Sequence, residues 1–146
     1  MDRRLFLRMA KDYVETLARY DSDIRWDEET WSEAAFRARF IMEDRTAQGF
    51  VITEVVPFAV FPDALYIAEF YVVLEARRRG IGLEAARELT KQWGKDIFLY
   101  ILNRNTKAKL FWTFVESELD WKPIKRPEIR DENGCEKRVY QTTKRW

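Results

Sequence analysis

The stretch that most constrains the fold runs from Glu69 to Leu83, where a β-type run meets a basic turn with two glycines. β-Branched and aromatic residues precede the turn and an amphipathic pattern follows it, which predicts a strand, a loop and a helix N-terminus. Such a helix start exposes unpaired backbone N–H groups and a positive dipole end, and Gly80 and Gly82 would let a ligand approach them. The turn is therefore a candidate anion site, although the glycines alone fit an ordinary strand-to-helix turn better. Their spacing matches neither the dinucleotide pattern nor the NTPase pattern.

Composition limits the chemistry that such a site can use. The 146 residues suit a single domain over 1–146, and 47% apolar residues are enough to bury a core. Lys and Arg number 26 against 25 Asp and Glu, so net charge gives no case for a nucleic-acid or membrane-surface protein. With no His and a single cysteine, Cys135, His-based triads and zinc sites are excluded. Carboxylates, tyrosines and backbone groups remain as candidates for binding and catalysis.

The start Asp2-Arg3-Arg4 is charged and shows no signal-peptide pattern, and no apolar stretch approaches the ~20 residues of a membrane span. Together with the lone cysteine, this leads us to expect a reducing, cytoplasmic setting and no membrane partner.

Hydrophobic periodicity predicts the order of the elements. Prolines 57 and 62 are expected to lie in a loop, and Pro123 and Pro127 to confine the first arm of the last hairpin to a sheet edge. The order strand, helix, strand after residue 64 implies a right-handed parallel crossover. The predicted elements are helices over 3–20, 27–33, 81–93 (capped by Gly94) and from Asn105, and strands from Ala35, over 49–55, 64–73 and 97–102, and in a hairpin over 121–128 and 136–142.

Two side-chain patterns predict which faces are buried. After Ala35 the side chains alternate, which predicts a half-exposed strand with successive residues on opposite faces. The helix after Asn105 carries an apolar face. The strand faces are Phe36, Ala38, Phe40 and Met42 against Arg37, Arg39, Ile41 and Glu43, and the helix face is Leu110/Phe111, Phe114 and Val115.

Arg77-x-x-Gly80-x-Gly82 after a strand resembles the acetyl-CoA pyrophosphate loop of the GNAT superfamily of N-acyltransferases. Asn105-x-x-Ala108 is similar to that family's Asn-x-x-Ala motif, and the segment 69–72 resembles its acidic-x-x-Val strand end. The likeness covers roughly Leu65 to Trp121 and looks closest to bacterial predicted acetyltransferases of unassigned substrate. It implies one α/β (α+β) domain. Its sheet would be mixed and mostly antiparallel, with helices on both faces and a parallel crossover forming the CoA groove.

The resemblance also implies a cofactor site. The backbone of the strand end would pair with the pantetheine arm, and the amides of the turn would surround the pyrophosphate. Asn105 would reach the pantetheine, with two aromatic residues alongside. The implied site consists of Phe70, Tyr71, Val72 and Val73 on the strand, Arg77, Arg78, Arg79, Gly80, Ile81, Gly82 and Leu83 in the turn, and Asn105, Ala108, Phe111 and Trp112 beyond it.

Glu69 is the candidate general base, or the anchor of a basic water, for proton removal from an attacking amine. A structural carboxylate is an equal alternative. Many family members place a general-acid Tyr seven residues after the motif Asn, where this chain has Trp112, so Tyr71, Tyr100 or solvent would protonate the thiolate. Tyr71 also fits, and fits better, a packed strand residue. Asn105 can be a helix N-cap as well as a ligand contact, and at least one of the three arginines is expected to be only solvated.

The expected activity is transfer of an acetyl group from acetyl-CoA to a primary amine of a small molecule or peptide, by direct attack and without a metal. A CoA-binding regulatory or interaction module is the alternative. A weaker third is nucleic-acid binding by Lys137, Arg138, Lys144 and Arg145, although no nucleic-acid partner is expected. The chain would be a monomer or homodimer. Cys135 is interpreted as incidental, and Trp26, Trp31, Phe58 and Phe61 as packing residues that could also line an acceptor pocket.

Overall fold

A computed structural model describes residues 2–58, 61–94 and 96–142. The helices are α1 (Arg3–Ala18), α2 (Glu28–Ala34), α3 (Ile81–Trp93) and α4 (Thr106–Glu118), with a 3₁₀ turn over Leu74–Ala76. The strands are β1 (Ala38–Glu43), β2 (Thr46–Phe58), β3 (Phe61–Val72), β4 (Ile97–Leu102), β5 (Lys122–Pro123) and β6 (Cys135–Gln141). None of these described helices is long and apolar enough to cross a bilayer.

The strands form one mixed sheet in the order β1-β2-β3-β4-β6-β5. β3 and β4 are parallel, with Leu65 opposite Ile97, and α3 connects them, so the predicted parallel crossover is confirmed. The pairs β1–β2, β4–β6 and β5–β6 are antiparallel. β5 lies at the edge, as its prolines predicted, but it has only two residues where an arm over 121–128 was predicted.

Local patterns predicted most element bounds well. α3 and β4 match the predicted ranges 81–93 and 97–102, and Gly94 follows α3 with a φ of 66° and an N–H bonded to the Thr90 carbonyl. α1 ends two residues before the predicted end at Tyr20. These segments show a clear helical or β-type period with turn residues at their ends, which is why sequence alone located them.

The predicted faces of β1 were only partly right, because Ala38 is buried and Arg39 exposed as expected, whereas the residues after them are not. Phe36 precedes the strand and is 81% exposed, Ile41 is buried, and Met42 is largely exposed. A register shift lies between Ile41 and Met42 in the pairing with β2. The extra residue is Gln48 of β2, because Ile41 pairs with Gly49 and Met42 with Ala47. The alternation along β1 is therefore not interrupted, and each of its two faces buries a residue, Ala38 on one and Ile41 on the other.

The predicted loop over Pro57 and Pro62 was also wrong, because β2 continues to Phe58 and β3 begins at Phe61. Each proline lies one residue from a strand end, where the loss of one ladder N–H costs little. The side chains of Phe58 and Phe61, interpreted above as packing or pocket residues, lie outside the described part of the structure.

The predicted inward face of α4 was only partly right. Val115 is buried as expected, but Trp112 is the other buried residue, whereas Leu110 and Phe114 are 72% and 50% exposed. Apolar residues point in most directions around the middle of this helix, from Ala108 to Val115, so its period could not show which side faces the core.

The chain divides into two compact units. The first contains Met1–Thr53 and Glu69–Gly82. Its core includes an aromatic cluster in which Phe50 contacts Phe6, Tyr13, Trp31 and Tyr71, with ring centroids 5.0–6.2 Å apart. Trp26 stacks on Trp31, consistent with the packing role predicted for both. Gly49 of β2 lies against β3, and a Cβ there would be 1.9 Å from the Tyr71 carbonyl oxygen, so this close approach requires glycine.

The second unit contains Glu54–Ala68 and Leu83–Trp146. On one side of its strands, Ala64, Phe98 and Val139 are buried beneath Ile124 and Ile129. A separate aromatic group consists of Trp112, Trp121 and Tyr140. The Trp121 indole N–H donates to Thr90 Oγ1 (3.1 Å), which donates in turn to the Ala86 carbonyl (2.9 Å).

Candidate functional site

The basic turn occupies residues 77–80 and leads directly into α3 at Ile81. Arg78 and Gly80 both adopt a positive φ, of 69° and 78°. A Cβ added to Gly80 would meet no atom within 4 Å, so the space beside it is open. Positive φ values turn the backbone so that successive N–H groups face one side, and the first N–H groups of α3 follow directly. The turn therefore has the geometry of an anion site.

The three arginines of the turn have different surroundings. Arg77 Nε donates to the Val72 carbonyl (2.8 Å), and its guanidinium lies 5.7 Å from the centre of the Tyr71 ring. Arg79 forms a half-exposed ion pair with Glu43 (3.1 Å). Arg78 is exposed. Arg77 thus ties the turn to the end of β3, and Arg78 is the arginine best placed for an anion.

At the end of β3, two backbone groups form hydrogen bonds within the protein. The Val73 N–H donates to the Gln48 carbonyl of β2 (2.8 Å), and the Val72 carbonyl accepts from Arg77. Because the N–H and C=O groups of successive strand residues point to opposite edges, those of Val72 point away from β2. Phe70 and Val72 are partly exposed. Among the predicted pantetheine contacts, the Val73 N–H is therefore already used in the pairing with β2, and the backbone groups of Tyr71 point to the same side.

Tyr71 is 7% exposed, and its ring lies 5.6 Å from those of both Tyr13 and Phe50. Burial raises the pKa of Tyr71 and the Asp12 carboxylate adds to the rise, whereas Arg77 opposes it. This favours a neutral phenol held in the aromatic cluster. Of the two roles predicted for Tyr71, general acid and packed strand residue, the structure supports packing. Glu69, two residues earlier on β3, is partly buried.

Asn105 is the N-cap of α4, as predicted. Its Oδ1 accepts from the Ala108 N–H (3.0 Å), which gives both defined positions of the Asn-x-x-Ala motif a local structural role. The cap uses the oxygen of the amide, and the Nδ2 donors belong to the other end of the same group. The cap is therefore compatible with a ligand contact through nitrogen.

Trp112 lies in the core of the second unit. It is 6% exposed, stacks on Trp121 at 6.3 Å with an interplanar angle of 15°, and meets Phe111 edge-on at 4.9 Å. A buried indole in this stack has no acidic proton to give, so no general acid occupies this position. Phe111 is the more exposed of the two.

Tyr100, the other predicted candidate for the general acid, lies on β4. Its hydroxyl donates to Glu132 Oε1 (2.8 Å), and burial together with this hydrogen bond raises the pKa of Tyr100 to about 12. Its proton is therefore held by a carboxylate of the last hairpin.

The predicted site residues are distributed over both units. Arg77 joins the turn, the end of β3 and the Tyr71 ring within the first unit, and the helix cap joins Asn105 to Ala108 within the second. The first unit holds Glu69, Phe70, Tyr71, Val72, Val73, Arg77, Arg78, Arg79, Gly80, Ile81 and Gly82, and the second holds Leu83, Asn105, Ala108, Phe111 and Trp112.

Solved structures of acetyltransferases share this architecture. Diaminobutyrate acetyltransferase from Paenibacillus lautus, solved with L-2,4-diaminobutyric acid and coenzyme A, matches with a TM-score of 0.59 and 14% identity over 93% of this chain and 90% of that one. Ribosomal-protein-alanine N-acetyltransferase from Brucella melitensis matches with a TM-score of 0.60 and 17% identity over 97% of this chain and 94% of that one. An acetyltransferase from Thermus thermophilus matches with a TM-score of 0.61 and 15% identity over 94% of this chain and 85% of that one. The chain has the GNAT fold. No protein-family model matches the sequence, and neither does any curated protein.

The GNAT fold confirms what the turn and the Asn-x-x-Ala motif predicted about architecture. It extends over the N-terminal half as well, since the three matches cover 93–97% of this chain. Identities of 14–17% show the fold alone.

The last hairpin of this GNAT-fold chain contributes to a groove that the sequence did not predict. It has a volume of about 760 Å³ and is lined by α4, by the segment 123–131 and by β6. Arg138 stands in its wall, with Nε bonded to Glu136 (2.7 Å) and Nη1 to Thr113 Oγ1 (3.0 Å). The available signal was Pro123 and Pro127, because a strand limited to two residues leaves most of the following segment outside the sheet.

The basic residues interpreted as a possible nucleic-acid surface are largely engaged. Arg138 binds Glu136 and Thr113, and the Lys137 ammonium lies 5.5 and 5.3 Å from the ring centres of Phe98 and Tyr100. Lys144 and Arg145 lie outside the described residues. The described part of this end therefore offers little free positive charge to a nucleic acid.

Proposed function

We propose that this chain binds acetyl-CoA and transfers the acetyl group to a primary amine of a small molecule or peptide. The observation that carries the proposal is the turn 77–80, whose positive φ values and open glycine face present backbone N–H groups at the start of α3. A pyrophosphate is a suitable anion for such a turn. Two of the named neighbours support an amine acceptor, since their names give a diamino acid and the alanine of a ribosomal protein.

We assign the binding roles as follows. The amides from Arg77 to Leu83 hold the pyrophosphate, and the exposed Arg78 adds charge. Arg77 holds the turn against β3. The backbone of Phe70 and Val72 pairs with the pantetheine amides, and the Asn105 Nδ2 donates to that arm, with Phe111 beside it. Val73 lies at the end of this strand, but its N–H bonds to the Gln48 carbonyl and does not pair with pantetheine.

We assign proton removal to Glu69, directly or through a water. The amine nitrogen attacks the thioester carbonyl carbon, the tetrahedral intermediate collapses, and CoA leaves as the thiolate while the amine proton passes to the carboxylate. A backbone N–H of β3 would polarise the carbonyl in the manner of an oxyanion hole. Solvent is the simplest proton source for the thiolate, because Tyr71 is packed among rings and the Tyr100 proton is held by Glu132.

The alternative is a CoA-binding module with little or no catalysis. The observation in its favour is Trp112, buried in a stack with Trp121 at the position where many relatives carry a tyrosine acid. Both interpretations require the CoA turn, so they separate only in a turnover assay.

The turn can be tested with two matched glycine substitutions. Gly80 and Gly134 have φ values of 78° and 74°, and in each case an added Cβ would meet nothing within 4 Å. Gly80→Ala and Gly134→Ala should each cost about 1 kcal/mol of folding stability, since alanine is strained at positive φ. We expect Gly80→Ala alone to weaken CoA binding, about tenfold or more in calorimetry, because its methyl enters the pyrophosphate space. Equal CoA affinity in the two variants would remove the turn from the site.

Transfer is tested by following thiol release from acetyl-CoA with polyamines, amino acids, aminoglycosides and Lys peptides. Turnover with at least one amine supports an enzyme, whereas tight CoA binding without turnover on any of them supports the module. With an active amine, Glu69→Gln should lower the rate about 10²-fold or more and abolish its acidic pH limb. A variant with the full rate and an unchanged pH profile would exclude Glu69 as the base.

A further inference from the structure

One face of α4 carries a stripe of exposed residues with a charge at each end. Lys107, Leu110, Phe114 and Glu118 are three or four residues apart, which places them on one side of the helix. Leu110 and Phe114 are 72% and 50% exposed, and Lys107 and Glu118 are exposed as well. Together these two adjacent large apolar side chains form a small apolar patch on the helix surface that is open to a partner.

The two charges are unfavourable for the helix that carries them. Lys107 lies in the first turn, at the positive end of the helix dipole, and Glu118 is the last residue, at the negative end. Neither side chain belongs to an ion pair among the described residues. A local arrangement that opposes its own helix calls for compensation elsewhere.

The stripe is complementary to itself when reversed. If a second α4 lies antiparallel across the first, with a two-fold axis near residue 112, Lys107 of each copy faces Glu118 of the other. The same operation sets Leu110 against Phe114. Both unfavourable charges then gain an opposite partner, and both apolar side chains lose their contact with water. A contact of this kind is isologous, the commonest type among homodimers.

We propose that the exposed stripe of α4 is a self-association surface on which a second copy of this chain docks antiparallel. An unrelated partner would have no reason to match the symmetric order Lys, Leu, Phe, Glu, whereas a second copy matches it automatically. One 13-residue helix supplies less than the ~800 Å² per partner of a standard interface. The dimer should therefore be weak, with a dissociation constant of about micromolar or higher.

Charge reversal at the two ends provides the test. Lys107→Glu gives a chain with Glu at both ends of the stripe, and Glu118→Lys gives a chain with Lys at both ends. Each variant alone should stay monomeric in sedimentation equilibrium at concentrations where the wild type dimerises. An equimolar mixture should restore association as a heterodimer, because both cross pairs are again opposite in charge. High salt should weaken the wild-type dimer.

Two controls separate loss of the contact from loss of the fold. Each charge variant removes an unfavourable helix-dipole interaction, so the monomer should melt at the same or a higher temperature. Phe114→Ser should abolish association, whereas Phe36→Ser, at an 81% exposed phenylalanine outside α4, should not. The proposal is overturned if the wild type is monomeric at every concentration, if the mixture fails to associate, or if Phe36→Ser dissociates the dimer as Phe114→Ser does.

Discussion

At the scale of single residues, Asn105 combines a confirmed role with a proposed one. Its Oδ1 caps α4 through the Ala108 N–H, and its Nδ2 is our proposed donor to pantetheine. Asn105→Asp keeps the capping oxygen and removes the amide donor, whereas Asn105→Ala removes both. We expect Asn105→Ala to lose about 0.5–2 kcal/mol of unfolding free energy in urea and Asn105→Asp almost none. Both should weaken CoA binding in calorimetry.

The aspartate variant decides between the two roles. If Asn105→Asp binds CoA as tightly as the wild type while Asn105→Ala is merely less stable, the motif is a helix cap and nothing more. Reduced affinity with full stability assigns the nitrogen to the ligand.

Sequence identified which residues belong to the motifs but not what each side chain touches. Arg77 was predicted as part of a phosphate loop, and the structure shows its guanidinium bonded to the Val72 carbonyl. Trp112 was predicted beside the cofactor, and the structure buries it against Trp121. A motif predicts the positions of backbone groups. A long side chain can contact any of several neighbours, and these come close only when the chain folds.

At the scale of elements, periodicity sets boundaries, and tertiary contacts set faces. α3 was predicted to the residue because its apolar positions recur with one period and Gly94 ends it. α4 was predicted in extent, but its apolar circumference let Trp112 rather than Leu110 turn inward. The register shift between β1 and β2 depends on their pairing, which no local pattern contains.

The contact between α3 and the chain after α4 yields a prediction at this scale. Trp121 is buried, and its indole N–H is bonded to Thr90 Oγ1 (3.1 Å). Thr90→Val preserves the shape of the side chain but leaves the N–H without its acceptor, which should cost about 1–3 kcal/mol in urea unfolding. Thr90→Ser retains the oxygen and should lose much less. Similar losses in the two variants would mean that the methyl group, rather than the hydrogen bond, stabilises this contact.

At the scale of the whole molecule, a few short motifs predicted the architecture because strand, glycine turn and helix can be joined in few ways. The strand order was beyond reach in detail, since pairing β4 with β6 requires residues more than 30 positions apart to meet. The groove beside Arg138 was missed for the same reason, because its walls come from α4, β6 and the segment between β5 and β6.

Three tyrosines make the stability of the whole chain sensitive to alkaline pH. Burial is the main cause that raises the pKa of Tyr71, and it raises the pKa of Tyr100 and of Tyr140 to about 12. An unfolded tyrosine titrates near pH 10. Between about pH 10 and pH 12 the unfolded chain therefore holds fewer protons than the folded chain, and the free energy of unfolding should fall as pH rises. Below about pH 10 these groups leave stability unchanged.

Tyr100→Phe isolates one of these contributions. At about pH 8 the variant should be less stable than the wild type, because the hydrogen bond to Glu132 is lost. Above about pH 10 the unfolded wild type loses the Tyr100 proton while the folded wild type keeps it, so the free energy of unfolding falls with pH. The variant has no such proton, so the two plots of unfolding free energy against pH, from guanidinium unfolding, should converge. Lysine titration affects both proteins equally and cancels in the difference. A constant gap up to about pH 12 would mean that Tyr100 ionises as freely in the folded chain as in the unfolded one.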